Sequence, residues 1–168
     1  MNVFSQQRCF LDADGVLAAW DAKALEILGM PASEYEAIHK AKGLWREIRH
    51  YRSPEGLGFF EDLDLMPDAM DLFNAVKHLN PIILTGCPFG DWAPGQKLRW
   101  AARHFPGTKM ITCMAREKHT FMKPGDVLID DREKHRAAWE EAGGVWITHT
   151  SAESSVAQLR ALKPHWFV

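Results

Sequence analysis

The sequence lacks any apolar stretch long enough to span a bilayer and any block of charges of one sign. Its 168 residues include 20 lysines and arginines against 22 aspartates and glutamates, so the formal net charge is −2. A charge so close to zero gives no electrostatic reason to expect a nucleic-acid polymer or an anionic membrane as a partner. The N-terminal residues also have no apolar core of signal-peptide length. We therefore expect a small-molecule ligand.

Cysteine is scarce as well. Cys9, Cys87 and Cys113 are odd in number and lack the spacing of a metal site, and the eight histidines are scattered without ligand spacing. This usage predicts a reduced, cytoplasmic protein without a cysteine or histidine metal centre. The length suits one core domain with room for a small insertion. The oligomeric state is left open between a monomer and a homodimer.

Five short apolar segments predict β-strands, and mostly helical patterns separate them. Such alternation is typical of a parallel sheet covered by helices, so the sequence predicts an α/β fold: a three-layer sandwich with a Rossmann-like sheet. Helical patterns cover Asp68–Leu79, Trp92–His104 and Ser151–Leu162, and another runs from Asp131 to Ala142. The predicted strands are Arg8–Asp12, Pro81–Thr85, Lys109–Cys113, Asp126–Asp130 and Val145–Thr148.

About fifty residues separate the first predicted strand from the helix near Asp68, far more than a strand-to-helix connection needs. This segment has helical signals of its own. Asp21–Met30 reads as a short helix, and Ser33–Glu36 is a capping-box pattern that opens a second helix towards His50. The sequence thus predicts a small helical cap over residues 18–65, inserted into a core formed by residues 1–17 and 66–168.

Paired carboxylates follow two of the predicted strands. Asp12 and Asp14 come at the end of the first strand, and Asp130 and Asp131 at the end of the fourth. In open parallel sheets, ligands bind beyond the carboxyl ends of the strands, and Mg²⁺ prefers hard oxygen ligands. We therefore predict a Mg²⁺ site formed by Asp12, the main-chain carbonyl of Asp14 and Asp130, with Asp131 orienting ligands or water.

The same strand ends predict phosphoryl-transfer chemistry. Asp12 can attack phosphorus if a cation offsets the repulsion between two anions, which gives an aspartyl-phosphate. Asp14, two positions on, can protonate the departing alkoxide and later deprotonate the attacking water. Thr85 and the Gly86 amide, at the end of the second strand, can donate hydrogen bonds to the phosphoryl oxygens. A lysine must supply positive charge.

These residues resemble the motifs of the haloacid dehalogenase (HAD) superfamily of phosphotransferases. The first motif is matched by Asp12–Val16, the second by Leu84–Gly86 and the fourth by Gly125–Asp131, in the family order. The third motif is a lysine after the third strand, and the resemblance assigns it to Lys118. Arg116 would then be an additional phosphate contact. Lys97 and Lys123 stay open as alternative sources of the positive charge.

More narrowly, several segments look like the 5′(3′)-deoxyribonucleotidase branch, which removes phosphate from nucleoside monophosphates and has a small helical cap after its first motif. The resemblance implies a Mg²⁺-dependent phosphatase that hydrolyses a (deoxy)nucleoside monophosphate. A phosphatase of another metabolite, such as a sugar phosphate, is the first alternative. A nucleotide- or protein-binding module with negligible turnover is the second. The segments are Gly15–Ala18, Leu65–Ala69, Ile83–Thr85 and Leu128–Arg132.

The predicted cap is rich in aromatic residues. Trp45, Phe59 and Phe60 are candidates for contact with the leaving group of the substrate, because aromatic faces suit a nucleobase. Any one of them is more often part of a small core than of a binding surface.

Overall fold

Residues 6–168 are described by a computed structural model, in which five parallel strands form a single sheet of order β3-β2-β1-β4-β5. This arrangement confirms the predicted α/β fold class. The strand β5 has the predicted bounds. Each of the other four strands differs from the prediction by a single residue at one end or at both ends. The strands are β1 (Cys9–Leu11), β2 (Ile82–Gly86), β3 (Met110–Cys113), β4 (Val127–Asp130) and β5 (Val145–Thr148).

The strand order brings distant parts of the chain together at one edge of the sheet. β1 lies between β2 and β4, with Leu11 opposite Ile83 on one side and opposite Ile129 on the other. All three strands run in the same direction, so their carboxyl ends point to the same edge. Asp12, Thr85 and Asp130 therefore meet there although they are far apart in sequence.

Side chains alternate along each strand, which gives the sheet two buried faces. Leu11, Ile83 and Ile129 belong to the larger core, which also contains Leu72 and Leu159 from the helices on that face. The other face is covered by a smaller core. In it, Trp139 of the covering helix clusters with one side chain from each of four strands, and its ring centre lies 5.6 Å from that of Phe10. The four side chains are Phe10, Leu84, Leu128 and Trp146. The result is three layers, with helices on both sides of the sheet.

Six α-helices connect or follow the strands. The predicted bounds of α4 are confirmed. Ser151 precedes α6 and caps its start as predicted, because its hydroxyl accepts a hydrogen bond from the Ser154 amide. α1 ends where Gly29 adopts a left-handed conformation. The helices are α1 (Trp20–Leu28), α2 (Ala32–His50), α3 (Ala69–Val76), α4 (Trp92–His104), α5 (Arg136–Glu141) and α6 (Ala152–Leu162).

The predicted start of α2 at a Ser33 capping box is wrong. The helix begins at Ala32, no side chain caps it, and the Pro31 carbonyl accepts hydrogen bonds from the amides of Glu34 and Tyr35. Because Pro31 already closes the first turn, Ser33 lies inside the helix. A second departure from the simple pattern is Lys40, whose φ of 63° interrupts the helix with a kink.

The predicted cap segment contains α1 and α2, and its last residues pack on α4. The Phe60 amide donates to Gln96 Oε1 at 3.0 Å, and the Trp100 indole donates to the Leu63 carbonyl at 2.8 Å. Glu61 accepts from Arg99 at 2.8 Å. These contacts attach the end of the segment to the core. The division of the chain at residues 17 and 65 stays a prediction.

Within residues 6–168, none of the helices combines the length and the apolar character that crossing a membrane requires. The three cysteines are free thiols, and Cys9 is buried in the larger core.

Candidate active site

The carboxyl ends of β1, β2 and β4 form the floor of a cavity of about 880 Å³. Asp12, Asp14, Gly86 and Lys118 line it on the core side, together with Asp130. Residues of α1 and α2 line it from the other side. The sheet therefore supplies polar and charged groups, while the cap segment forms a wall above them.

Three carboxylates meet on this floor. Asp12, Asp130 and Asp131 each offer an oxygen atom, and these atoms lie within 4.8 Å of one another. Gly15 makes this approach possible. It has a φ of +80°, and a Cβ atom there would overlap the carboxylate of Asp131, so a larger residue would disturb the turn. Both motifs predicted from the sequence thus come together in space.

Lys118 lies between the two acidic strand ends. Its Nζ is 2.8 Å from Asp12 Oδ1 and 2.7 Å from Asp130 Oδ2, and the residue is only 5 % exposed. Burial opposes its charge most strongly, but the two carboxylates outweigh burial and raise the pKa of Lys118. The lysine is therefore held as a cation. Its backbone belongs to a short 3₁₀-helix, Ala115–Phe121, that directly follows β3.

The pKa values of the neighbouring carboxylates are also raised, which favours their neutral forms. Burial, and then the charge of Asp12, raises the pKa of Asp130. Burial, followed by Asp12 and Asp130, raises the pKa of Asp131 to about 7. The Asp131 Oδ1 atom is buried and has no hydrogen-bond partner among residues 6–168. Lys118 balances only part of the charge of the three carboxylates, and a bound cation would provide the rest.

Lys97, on α4, contacts the second carboxylate of the first motif. Its Nζ is 2.5 Å from Asp14 Oδ2 and 2.9 Å from Thr85 Oγ1, and it lies 4.2 Å from the centre of the Phe60 ring. Burial raises the pKa of Asp14, and the nearby Lys97 partly opposes this rise. Lys97 thus contacts Asp14 and Thr85, whereas Lys118 contacts Asp12 and Asp130.

One sequence signal could have separated Lys97 from the other lysines. It occupies the apolar face of α4 together with Ala93, Trp100 and Ala101, at helical spacing. A lysine on the buried face of a helix needs a partner, because lysine is almost never fully buried without one. This signal shows that Lys97 has a buried partner but does not identify it.

The remaining predicted phosphate contacts divide into two groups. Gly86 lines the cavity. Thr85 is fully buried beside it, does not line the cavity, and accepts a hydrogen bond from Lys97 at 2.9 Å. Arg116 and Lys123 are exposed, and neither lines the cavity. Only Lys118 and Lys97 among the candidate lysines therefore reach the carboxylates.

The cap aromatics also differ in their placement. Trp45 and Phe60 line the cavity, and so does Trp20, whose ring centre lies 6.1 Å from that of Trp45. Phe59 is fully buried behind them. Its ring contacts Trp20 and Phe60 at 5.7 and 5.2 Å between ring centres, and it does not line the cavity. Phe59 thus supports the aromatic wall from behind.

Cys87 lines the cavity beside Gly86. Burial raises the pKa of its thiol, and the pKa of Cys113 rises to about 11 for the same main reason. Raised pKa values keep both thiols protonated and hence poorly nucleophilic. Cys87 therefore acts as a small apolar residue in the cavity wall.

The sequence analysis missed the charged rim of the cavity. Arg132, Lys134 and His135 line it from the segment after β4, and Asp21 and Glu36 line it from α1 and α2. The signal was present, since three cationic residues closely follow the acidic end of a strand. Charged surface residues are so common that this signal alone did not distinguish them.

Solved structures of similar fold belong to hydrolases. A HAD-superfamily hydrolase from Ehrlichia chaffeensis is 12 % identical with a TM-score of 0.54, and the match covers 96 % of this chain and 97 % of that one. A hydrolase from Streptococcus pneumoniae is 14 % identical with a TM-score of 0.51, covering 94 % and 98 %. The L-2-haloacid dehalogenase from Xanthobacter autotrophicus is 13 % identical with a TM-score of 0.52, covering 95 % and 87 %.

These identities are low, so the structural matches establish the fold alone. No curated protein matches the sequence at a significant level. The model of one protein family does match, over residues 8–161, and its description is 5′ nucleotidase, deoxy (Pyrimidine), cytosolic type C protein. That match spans all five strands and every carboxylate of the site. The chain therefore belongs to this 5′ nucleotidase family, and its fold is that of the HAD-superfamily hydrolase.

Proposed function

We propose that the protein is a Mg²⁺-dependent phosphomonoesterase that hydrolyses (deoxy)nucleoside monophosphates in the cytoplasm through an aspartyl-phosphate on Asp12. The observation that carries the proposal is the position of Lys118 between Asp12 and Asp130, with the carboxylate of Asp131 beside them. An anionic nucleophile needs positive charge beside it if it is to approach an anionic phosphate. The family membership supports the same chemistry.

The donor set suits Mg²⁺. All three clustered groups are carboxylates, which are hard oxygen ligands, and one oxygen of Asp131 is buried without a partner in the described chain. Asp12, Asp130 and Asp131 would hold the ion, with the main-chain carbonyl of Asp14 as a further oxygen ligand. When bound, Mg²⁺ supplies positive charge that offsets the repulsion between the nucleophile and the phosphate.

In the first step, a carboxylate oxygen of Asp12 attacks phosphorus, and the bond between phosphorus and the leaving-group oxygen breaks. Asp14 donates its proton to that oxygen. The raised pKa of Asp14 favours the protonated form that this step requires. Thr85 and the Gly86 amide would donate to the phosphoryl oxygens, and Lys118 balances their charge.

In the second step, Asp14 takes a proton from a water molecule, which attacks the phosphorus of the aspartyl-phosphate. The bond between phosphorus and the Asp12 oxygen breaks, inorganic phosphate leaves, and Asp14 is protonated again. Lys97 holds one oxygen of Asp14 at 2.5 Å. This contact orients the carboxyl group towards the cavity for both proton transfers.

The cap wall supports the choice of a nucleotide. Phosphate is common to all monoesters, so the residues that contact the leaving group must distinguish one substrate from another. Trp45, which is half-buried, presents aromatic surface in a cavity of about 880 Å³, which is large enough for a nucleoside, and Phe60 lies at the lining with only 1 % of its surface exposed. Stacking on such surface contributes roughly 1–3 kcal/mol per base.

The proposed function is tested by turnover of a panel of nucleoside monophosphates and sugar phosphates, with and without Mg²⁺. Trp45→Ala should lower kcat/KM for nucleoside monophosphates about 10- to 100-fold, because the stacking energy is lost, and should change sugar phosphate turnover little. Trp166→Ala is the matched control, since Trp166 is also half-buried but does not line the cavity. Better turnover of sugar phosphates than of nucleotides would contradict the nucleotide assignment.

Asp130→Asn tests the metal site separately. The substitution removes one anionic ligand and keeps the nucleophile, so the Mg²⁺ concentration for half-maximal activity should rise about tenfold or more while activity at saturating Mg²⁺ persists. Asp71→Asn, an identical change at an exposed position of α3, is the control. An unchanged Mg²⁺ titration would remove Asp130 from the ligand set.

A further inference from the structure

One wall of the active-site cavity carries two cationic side chains and a histidine that the proposed phosphoryl transfer does not use. Arg132, Lys134 and His135 line the cavity in the segment that follows the acidic end of β4. Arg132 and Lys134 are exposed, and His135 is half-buried. Within residues 6–168, none of the three side chains forms a salt bridge or a hydrogen bond. They are therefore available to a ligand.

The segment is built so that its own acidic residue does not neutralise these cations. Glu133 accepts hydrogen bonds from the Thr148 hydroxyl at 2.7 Å and from Arg136 at 3.1 Å, which hold its carboxylate outside the cavity lining. The Arg132 amide donates to Asp130 Oδ1 at 2.9 Å and fixes the start of the segment beside the metal-binding carboxylates. The backbone that carries these side chains thus starts at a fixed position beside the metal-binding carboxylates.

Arg132 and Lys134 supply the positive charge of this wall. Burial lowers the pKa of His135, and the nearby charges of Lys134, Lys118 and His119 lower it further, so the imidazole joins the wall as a neutral hydrogen-bonding group. Lys118 and Lys97 differ from Arg132 and Lys134 because each already contacts carboxylates. Positive charge without a protein partner favours an anionic ligand.

The other charged wall of the cavity restricts where a second anion can lie. Asp21 and Glu36 line the cavity from α1 and α2, so the cap side repels anions. A leaving group with a second anionic group would therefore turn that group towards Arg132 and Lys134. Its base would remain against the aromatic wall formed by Trp45 and Phe60.

We propose that Arg132, Lys134 and His135 bind a second phosphate on the leaving group, so that nucleosides carrying two separate phosphates are better substrates than nucleoside monophosphates. The proposal rests on the proposed function, because the same Asp12 would attack the scissile phosphate. Arginine suits this task, since its planar guanidinium donates two parallel hydrogen bonds to a phosphate.

The test compares deoxythymidine 3′,5′-bisphosphate, deoxythymidine 5′-monophosphate and para-nitrophenyl phosphate as substrates. The wild-type kcat/KM should be about tenfold higher for the bisphosphate than for the monophosphate. The double substitution Arg132→Ala/Lys134→Ala should lower kcat/KM for the bisphosphate about 100-fold, roughly tenfold for each lost charged contact. For the other two substrates the loss should be under about fivefold.

Lys42→Ala/Lys123→Ala is the matched control, because it removes the same charge from two exposed positions that do not line the cavity. It should leave the ratio between bisphosphate and monophosphate unchanged. An equal loss for all three substrates in the Arg132→Ala/Lys134→Ala variant would overturn the proposal, since the cations would then only attract the scissile phosphate. A wild-type enzyme that does not prefer the bisphosphate would overturn it as well.

A binding measurement separates failure of this inference from failure of the proposed function. Calorimetric titration of the Asp12→Asn protein should show tighter binding of the bisphosphate than of the monophosphate, and Arg132→Ala/Lys134→Ala in that background should remove the difference. If no phosphate monoester is turned over but this difference is found, the phosphatase proposal fails and the second phosphate site stands. If monophosphates are turned over and the difference is missing, only the second phosphate site fails.

Discussion

Asp12→Asn is expected to abolish phosphate release while the protein stays folded. The amide cannot attack phosphorus and is a poorer ligand for a hard cation, so kcat should fall by a factor on the order of 10⁴ or more. Asparagine matches aspartate in size, and the group lies at the end of β1 next to Lys118 at 2.8 Å. Turnover of a nucleoside monophosphate at saturating Mg²⁺ measures the effect.

The folded state of this variant must be established independently. The thermal unfolding midpoint and the near-ultraviolet circular dichroism should resemble those of the wild type, because the substitution also removes the like charge of Asp12 that raises the pKa of Asp130. Asp71→Asn provides the matched control for the chemical change and should retain full activity. Retained turnover in a folded Asp12→Asn protein would disprove the aspartyl-phosphate mechanism.

Asp14→Asn should separate the two chemical steps. A substrate with a good leaving group, such as para-nitrophenyl phosphate, needs no proton to depart, so phosphate should still be transferred to Asp12. The second step needs a base to activate water, so steady-state turnover should fall about 10²- to 10⁴-fold. A covalent phosphorylated protein should therefore accumulate, and mass spectrometry after acid quenching would detect it.

The double substitution Asp12→Asn/Asp14→Asn is the control for this experiment. It should show no adduct, because the nucleophile is missing. An adduct in the double variant would mean that another residue is phosphorylated, and rapid steady-state turnover of the single variant without any adduct would argue against Asp14 as the general base. Lys97 also donates a hydrogen bond to Thr85 at 2.9 Å, so it keeps a partner when Asp14 is replaced. The effect of Asp14→Asn can therefore be assigned to the lost carboxylate.

Local patterns predicted the secondary structure well where short-range forces decide it. β5 and α4 have the bounds expected from their apolar runs and helical periodicity. The start of α2 was wrong because Ser33 matched a capping pattern while the Pro31 carbonyl closed the first turn instead. Two ways of starting a helix compete within a few residues there, and the sequence pattern does not show which of them forms.

The cap aromatics show a second limit of local patterns. Trp45, Phe59 and Phe60 are similar in character, and nothing in their order separates a ligand-facing ring from a buried one. In the structure, Trp45 lines the cavity, whereas Phe59 packs behind Trp20 and Phe60. Which ring faces a cavity depends on how α1, α2 and α4 pack together, and packing joins residues that are distant in sequence.

The sequence by itself determined the α/β class, the two acidic strand ends and the order of the motifs, because each depends on a few neighbouring residues. Only the tertiary structure decided that Lys118 contacts Asp12 and Asp130, that Lys97 contacts Asp14 and Thr85, and that a cationic wall faces the cavity. The physical reason is that a buried charge takes its partner from whichever chain segments the parallel strand order brings beside it, and spacing along the chain does not encode that proximity.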